Sequence, residues 1–156
     1  MANKKYKLGG EPGELKLAPF MRLLKAVHSL QEPETMTTED LEKQRRSQEA
    51  LGNMAAAMGG LVWEPFGLAG MDAAWMRLER PHKRRRVILY CHGGGYTSGG
   101  LGFSKVLASK LTRATGLDVL AFDYRLAPEH PYPAAVEDAQ AAWDHLMRLG
   151  FGARDV

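Results

Sequence analysis

Cysteine is almost missing from this 156-residue chain. Cys91 stands alone, so no intrachain disulfide can form. That usage fits a reducing compartment, and the cytoplasm is the expected location. Long apolar runs are missing as well, which leaves no candidate for an integral membrane segment. The basic start is interrupted by Lys5, Lys7, Glu11, Glu14 and Lys16, so it holds no signal-peptide core. Charge of one sign is in short supply: 21 Lys and Arg against 18 Asp and Glu leave +3. The basic runs at Asn3–Lys7 and Lys83–Arg86 come without a binding motif, so no nucleic-acid partner is expected. The histidines, His28, His82, His92, His130 and His145, lack metal-ligand spacing, and no metal or cofactor is expected.

What is present is ordinary for a globular chain: 45% hydrophobic and 25% charged residues, enough for one core. The chain is organised around Arg86–Gly100. Val87–Cys91 is an unbroken apolar run and predicts a strand buried on both faces, as in a parallel sheet. It ends in His92, Gly93, Gly94 and Gly95. Three glycines without Cβ atoms let the chain bend sharply and present bare N–H groups. A strand, a bare turn and a helix place those donors outside the carboxyl end of a sheet. Such donors suit an anionic oxygen, on a phosphate or on a tetrahedral carbon.

Pro19–Leu30 carries apolar residues at three-four spacing and predicts a short amphipathic helix, followed by a linker at 31–36. Thr37 and Asp40 have the spacing of a capping box, and a helix is expected from Thr38 to about Met58, stopped by Gly59-Gly60. Its apolar half, Ala50, Leu51, Met54, Ala55 and Met58, reads as a packing face or the lining of an adaptable pocket. Leu61–Phe66 and Met71–Glu79 predict two strands joined through Gly67 and Gly70, the second alternating as a half-buried strand does. Pro81–Arg85 is a polar turn. Phe103, Val106, Leu107, Leu111 and Ala114 mark the inward face of the next helix, which Gly116 ends. Leu117–Tyr124 is a strand, Arg125–Pro131 a loop, and Pro133 opens a last helix with Val136, Ala139, Trp143, Leu146 and Met147 on one face and Gly150 at its end.

Two loops therefore close adjacent parallel strands: His92–Gly95 and Asp123–Glu129, the second opening the longer run Asp123-Tyr124-Arg125-Leu126-Ala127-Pro128-Glu129-His130-Pro131-Tyr132-Pro133-Ala134-Ala135-Val136-Glu137-Asp138-Ala139. The pair, at this separation, resembles the hormone-sensitive-lipase-like esterases and lipases of the α/β-hydrolase fold. The likeness spans about Leu61–Val156. It implies an α/β chain: residues 1–60 as N-terminal cap helices, part of a lid over the acyl pocket, and 61–156 as the first half of a mixed, mostly parallel sheet with flanking helices. It also implies hydrolysis of small carboxylic esters through a serine acyl-enzyme, without cofactor or metal. Carried over, Gly93 and Gly94 donate their N–H groups to the oxyanion, Gly95 keeps the turn open and His92 holds the loop in shape. The loop Tyr124–Glu129 is expected to brace the site from the neighbouring strand, either as a structural loop, the favoured reading, or with Arg125 paired to Glu129.

The family's nucleophile is the serine of Gly-x-Ser-x-Gly, followed by an acid and a histidine. None of Ser29, Ser47, Ser98, Ser104 and Ser109 has that setting, and His130 and His145 lie too early. The expected elbow falls just after Val156, so the chain resembles the first half of an esterase. It is expected to be inactive by itself, to leave Val87–Cys91 with an unpaired edge, to fold poorly alone, and to need the C-terminal half of the fold as its partner, with homo-oligomers open. Two other readings stand beside this one. Strand, glycine loop, helix and a strand ending in Asp123 also outline a nucleotide-binding module, although Ser98 replaces the third glycine. A non-catalytic truncated product is the other. Cys91 and His92, adjacent on a strand, point to opposite faces and do not make a nucleophile and base.

Overall fold

The computed structural model describes residues 37–56, 58–80 and 85–156. The expected helix Pro19–Leu30, the linker at 31–36 and all but the last residue of the turn Pro81–Arg85 lie outside them. Thr37 opens α1 (Thr38–Ala55) through the expected capping box: the Asp40 N–H donates to Thr37 Oγ1 at 3.2 Å, and the Thr37 N–H to Asp40 Oδ2 at 3.2 Å. The helix stops at Ala55, ahead of Met58, because Ala56 is already extended. Gly59-Gly60 instead forms the turn into β1 (Leu61–Leu68).

β1 folds back on β2 (Met71–Leu78) in full antiparallel register, Leu61 opposite Leu78 and Leu68 opposite Met71. Gly67 lies within β1, so the hairpin turn falls on Ala69-Gly70, both with positive φ (50° and 86°). That geometry matches the twist of the strands it joins. β3 (Val87–Tyr90) leads into the glycine loop and α2 (Leu101–Thr115). β4 (Asp118–Phe122) and α3 (Ala134–Arg148) follow. The order across the mixed sheet is β1-β2-β4-β3, with β4 antiparallel to β2 and parallel to β3.

Apolar layers cover both faces of the sheet. One joins Leu68, Trp75, Leu120 and Phe122 to Ala142 and Leu146 of α3. The other joins Leu61, Met76 and Val119 to Ala108 of α2. β2 therefore departs from the half-buried alternation: Ala73, Ala74, Trp75 and Met76 are all buried, since a layer lies on each side. β3 departs in the opposite sense. It is half-buried beyond Val87, because among the described residues it pairs with β4 alone and forms the sheet edge. Its first N–H is met from the open side by the carbonyl of Asp155, at 2.8 Å.

Both expected helix faces near the glycine loop are corrected. α2 turns Gly102, Ser104, Ala108, Ser109 and Thr112 inward, and leaves Phe103 and Leu107 exposed. Small residues let the backbones approach, and the buried hydroxyls are satisfied locally: Ser104 Oγ donates to the Gly100 carbonyl at 2.7 Å and Ser109 Oγ to that of Val106 at 2.8 Å. In α1, Leu51 and Met54 are exposed (67% and 85%), so they are not a packing face. The covered stripe is Leu41, Arg45, Gln48, Glu49 and Gly52. A Cβ at Gly52 would collide with the backbone of Gly102 and Phe103, which marks where α1 crosses α2. In α3, Val136 likewise faces out, while Ala134, Asp138, Ala142 and Leu146 are buried. Among the described residues no helix is long and apolar enough to cross a membrane.

Candidate active site

The site begins where β3 runs out. Cys91 is exposed and the next residue, His92, is buried, as expected of neighbours on an extended strand. The His92 ring stacks on Tyr124, just past β4, with centroids 4.1 Å apart. Tyr124 Oη donates to the His92 carbonyl at 2.6 Å, and burial pushes its own pKa up to about 12, so it stays protonated. His92 Nδ1 lies 3.0 Å from the Gly93 carbonyl. That oxygen only accepts, so the proton sits on Nδ1 and Nε2 is bare. Burial holds the ring below the usual histidine range, which keeps it neutral.

The next carbonyl is held more tightly. The Gly94 oxygen accepts from the N–H groups of Thr97 and Ser98, both at 3.1 Å, and from both their hydroxyls at 3.2 Å. The carbonyls of His92, Gly93 and Gly94 are thus all engaged by the protein. In a trans peptide the N–H points opposite to its C=O. The N–H groups of Gly93, Gly94 and Gly95 accordingly face away from those partners, and none donates to an acceptor among the described residues. They border a cavity of about 410 Å³, whose other walls include Tyr96, Tyr124, Ala135, Val136 and Ala139. Unengaged amides in a largely apolar cleft can stabilise negative charge developing on an oxygen.

Behind the loop, His92 Nε2 and Asp123 Oδ1 stand 3.9 Å apart, each buried without a hydrogen-bond partner. Burial, followed by the charges of Glu49 and Asp72, pushes the Asp123 carboxyl up to about 7. A neutral imidazole facing a carboxyl that burial biases toward its protonated form lessens the uncompensated buried charge.

The structure separates Arg125 from Glu129, the pair the sequence had suggested. Arg125 turns to α3: its Nε and Nη2 bind the Asp138 carboxylate at 2.8–3.0 Å, and Nη2 also binds Glu137 at 3.0 Å. Asp138 accepts the Arg125 backbone N–H as well, at 2.8 Å. Burial works against the Asp138 charge, but these hydrogen bonds outweigh it and hold the carboxyl below its usual range. Glu129 binds Arg45 of α1 instead, at 2.9 and 3.0 Å, which draws its pKa down to about 2. Arg45, Gln48 and Glu49 are the residues that sequence reasoning missed. The available signal was the stripe Leu41–Arg45–Gln48–Gly52, spaced as one helical face.

Comparison with known proteins agrees with this architecture. Residues 88–154 match the family described as an alpha/beta hydrolase fold. An acetyl-hydrolase of Streptomyces hygroscopicus is 42% identical over 105 residues, 67% of this chain and 33% of that protein. An ethyl acetate hydrolase of Pseudomonas putida is 30% identical over 143 residues, 84% of this chain and 44% of its own. A solved esterase from the bacterial hormone-sensitive lipase family superposes with a TM-score of 0.68 at 34% identity, covering 85% of this chain and 43% of that one. The crystal structure of EstE5 gives 0.73 at 34% identity, over 88% and 46%. The chain thus spans less than half the length of these relatives. Its fold is part of an α/β-hydrolase fold. Within that class it is similar to the hormone-sensitive-lipase-like esterases, by the glycine loop, the Asp123–Ala139 run and the structures it matches.

Proposed function

We propose that this chain supplies the oxyanion-binding part of a carboxylic-ester hydrolase working through a serine acyl-enzyme. The carrying observation is the set of three N–H groups at Gly93–Gly95, left open where every carbonyl between them is engaged. Gly93 and Gly94 donate to the tetrahedral oxyanion, the Gly95 N–H lies on the same course of backbone, and His92 fixes the loop through its Nδ1–H and its stacked ring. Each such donor is worth about 10²–10³ in rate. The 156 residues hold no Gly-x-Ser-x-Gly, so nucleophile, acid and histidine come from a further polypeptide segment. The edge of β3 that is open among the described residues, with Asp155 at its first N–H, would give that segment a place to add as a parallel strand. Residues 1–60 serve as the cap region of this enzyme. Substrates of the relatives' kind, small acyl esters, suit the cleft.

The nucleotide reading is weaker on physical grounds. A pyrophosphate would seek the N-terminus of α2. Glu49 already sits there, accepting from the N–H groups of Gly102 at 2.5 Å and Phe103 at 3.3 Å. Its carboxylate repels a second anion.

The test mixes the chain with a polypeptide bearing the nucleophile strand and the remaining triad, and follows p-nitrophenyl acetate and butyrate. Hydrolysis in the mixture, absent from either component, is expected. No hydrolysis from a mixture that forms a stable complex overturns the proposal, as does hydrolysis by the chain unaided.

A further inference from the structure

The polar stripe of α1 does more than cover a surface. Arg45 Nε donates to the Thr97 carbonyl at 2.7 Å, and Nη2 donates to the Ala127 carbonyl at 2.8 Å. One guanidinium therefore ties the loop after β3 to the loop after β4. The same two loops meet directly, the Ala127 N–H donating to the Tyr96 carbonyl at 2.8 Å. Tyr96 is held there with a positive φ of 62°, a conformation that costs a bulky residue free energy and needs surrounding restraint. One turn further along α1, Gln48 Oε1 accepts the Gly99 N–H at 3.2 Å. Glu49 takes the Gly102 and Phe103 amides.

These contacts reach the open amides in two steps. Arg45 fixes the position of residue 97. The N–H groups of Thr97 and Ser98 then fix the Gly94 carbonyl, and its peptide plane sets the direction of the Gly95 N–H. From the other side, His92 fixes the Gly93 carbonyl and so the Gly94 N–H. Gly99 is wedged between these holds: a Cβ there would fall on His92 Nδ1.

We propose that Arg45 and Gln48, on α1, are positioning residues that set the direction of the Gly94 and Gly95 N–H groups. The role rests on the esterase reading above. It makes α1 a part of the catalytic scaffold, acting through the loop without touching the ester. Arg45 carries the larger share, because its planar fork serves Thr97, Ala127 and both oxygens of Glu129 at once. Lysine, a single ammonium, cannot reproduce that reach.

The experiment reads the amides themselves in the 156-residue chain, by nitrogen–proton NMR shifts and residue-resolved hydrogen exchange. The variants are Arg45→Ala, Arg45→Lys and Gln48→Ala. In Arg45→Ala the Ser98 and Ala127 amides are expected to exchange about tenfold faster or more, the loss of one charge-assisted hydrogen bond. The Gly94 and Gly95 resonances move with them, while the β2–β4 ladder keeps its protection. Arg45→Lys recovers less than half of the shift. Gln48→Ala speeds Gly99 and moves Gly94, which Gly99 reaches through His92. Unmoved Gly94 and Gly95 resonances in Arg45→Ala overturn the proposal. So does an equal rise across loop and ladder, which would make α1 a general stabiliser. Should Arg45→Ala unfold, Gln48→Ala decides by the same resonances. Because no turnover is read, failure here differs from failure of the esterase reading, which would show correctly held amides and no hydrolysis in the reconstituted mixture.

Discussion

Alanine in place of each loop glycine should produce three different outcomes, although the sequence presents the three as equivalent. At Gly93 the φ is not in the left-handed region, and a Cβ would meet nothing within 4 Å. An alanine there restricts the unfolded chain and should stabilise by about 0.4–1 kcal/mol. At Gly95 the space is open but φ is 61°, which costs an alanine about 1–2 kcal/mol. Net of the unfolded-state gain, about 1 kcal/mol of destabilisation remains. At Gly94 the φ is 132°, and a Cβ would stand 2.8 Å from Ser98 Oγ and closer still to the Ser98 carbonyl. Backbone cannot yield there without releasing the four hydrogen bonds on the Gly94 oxygen. Strain of about 1–3 kcal/mol plus part of those bonds sums to about 2–4 kcal/mol. In a chain of this size each kcal/mol moves Tm by about 2–4 °C. Thermal and urea unfolding of the three variants should therefore rank Gly93→Ala above wild type, Gly95→Ala slightly below and Gly94→Ala far below. A Gly94→Ala protein within about 0.5 kcal/mol of Gly93→Ala would refute the steric reasoning. In the reconstituted mixture, a stable Gly93→Ala chain that no longer supports hydrolysis would place the need for glycine 93 in what approaches it from the cavity.

Other expectations follow from the burial of charge and of bulk. Asp123 has a folded pKa raised to about 7 by burial, so the native state holds its proton where the unfolded chain has lost it. Stability from this group falls as pH rises from about 4 to 7, and Asp123→Asn should melt above wild type at pH 8 and converge with it near pH 4; parallel curves would contradict this. Asp138 has the opposite sign: its lowered pKa contributes stability above the unfolded carboxylate value that is lost as pH falls through the folded one. Acid titration of Tm should therefore be shallower in Asp138→Asn than in wild type. Leu146, fully buried, should cost about 2–5 kcal/mol as alanine. The outward Leu107 should change stability by no more than about 0.5 kcal/mol as serine, and a larger loss would restore the face that the sequence predicted.

Local signals were legible where local physics decides the structure. The Thr37–Asp40 box, the Gly116 stop of α2, the β4 run and the bare turn at 93–95 each depend on a few neighbouring residues, and each lies where its pattern places it. The strand faces were less legible. Ala73–Met76 looks alternating until a helix layer is added on each side. The helix faces were misread most. Counting large apolar residues pointed α2 toward Phe103 and Leu107, whereas the inner face is Gly102, Ser104, Ala108 and Thr112. Size is a poor guide where backbones nearly touch, as at Gly52 and Gly102.

The inversion of α1 has a different cause, and it bears on how such a site is recognised. A loop at the end of a sheet carries backbone donors and acceptors that no ladder satisfies. An element packed over it must supply their partners, so its inner face is polar and its apolar residues are left outside. Arg45, Gln48 and Glu49 answer the Thr97 carbonyl and the amides of Gly99, Gly102 and Phe103 in this way. Leu51 and Met54 are displaced outward as a consequence. The hydrophobic periodicity rule holds for a helix on a sheet and reverses for a helix on a loop. It follows that the informative quantity at this end of the molecule is the unsatisfied remainder. Many loop groups are matched from α1, from the hydroxyls of Thr97 and Ser98, and from His92 and Tyr124, whereas the amides of Gly93, Gly94 and Gly95, at the edge of a cleft, donate to no acceptor among the described residues. On the reading proposed above, their partner would be an oxygen that arrives with the substrate.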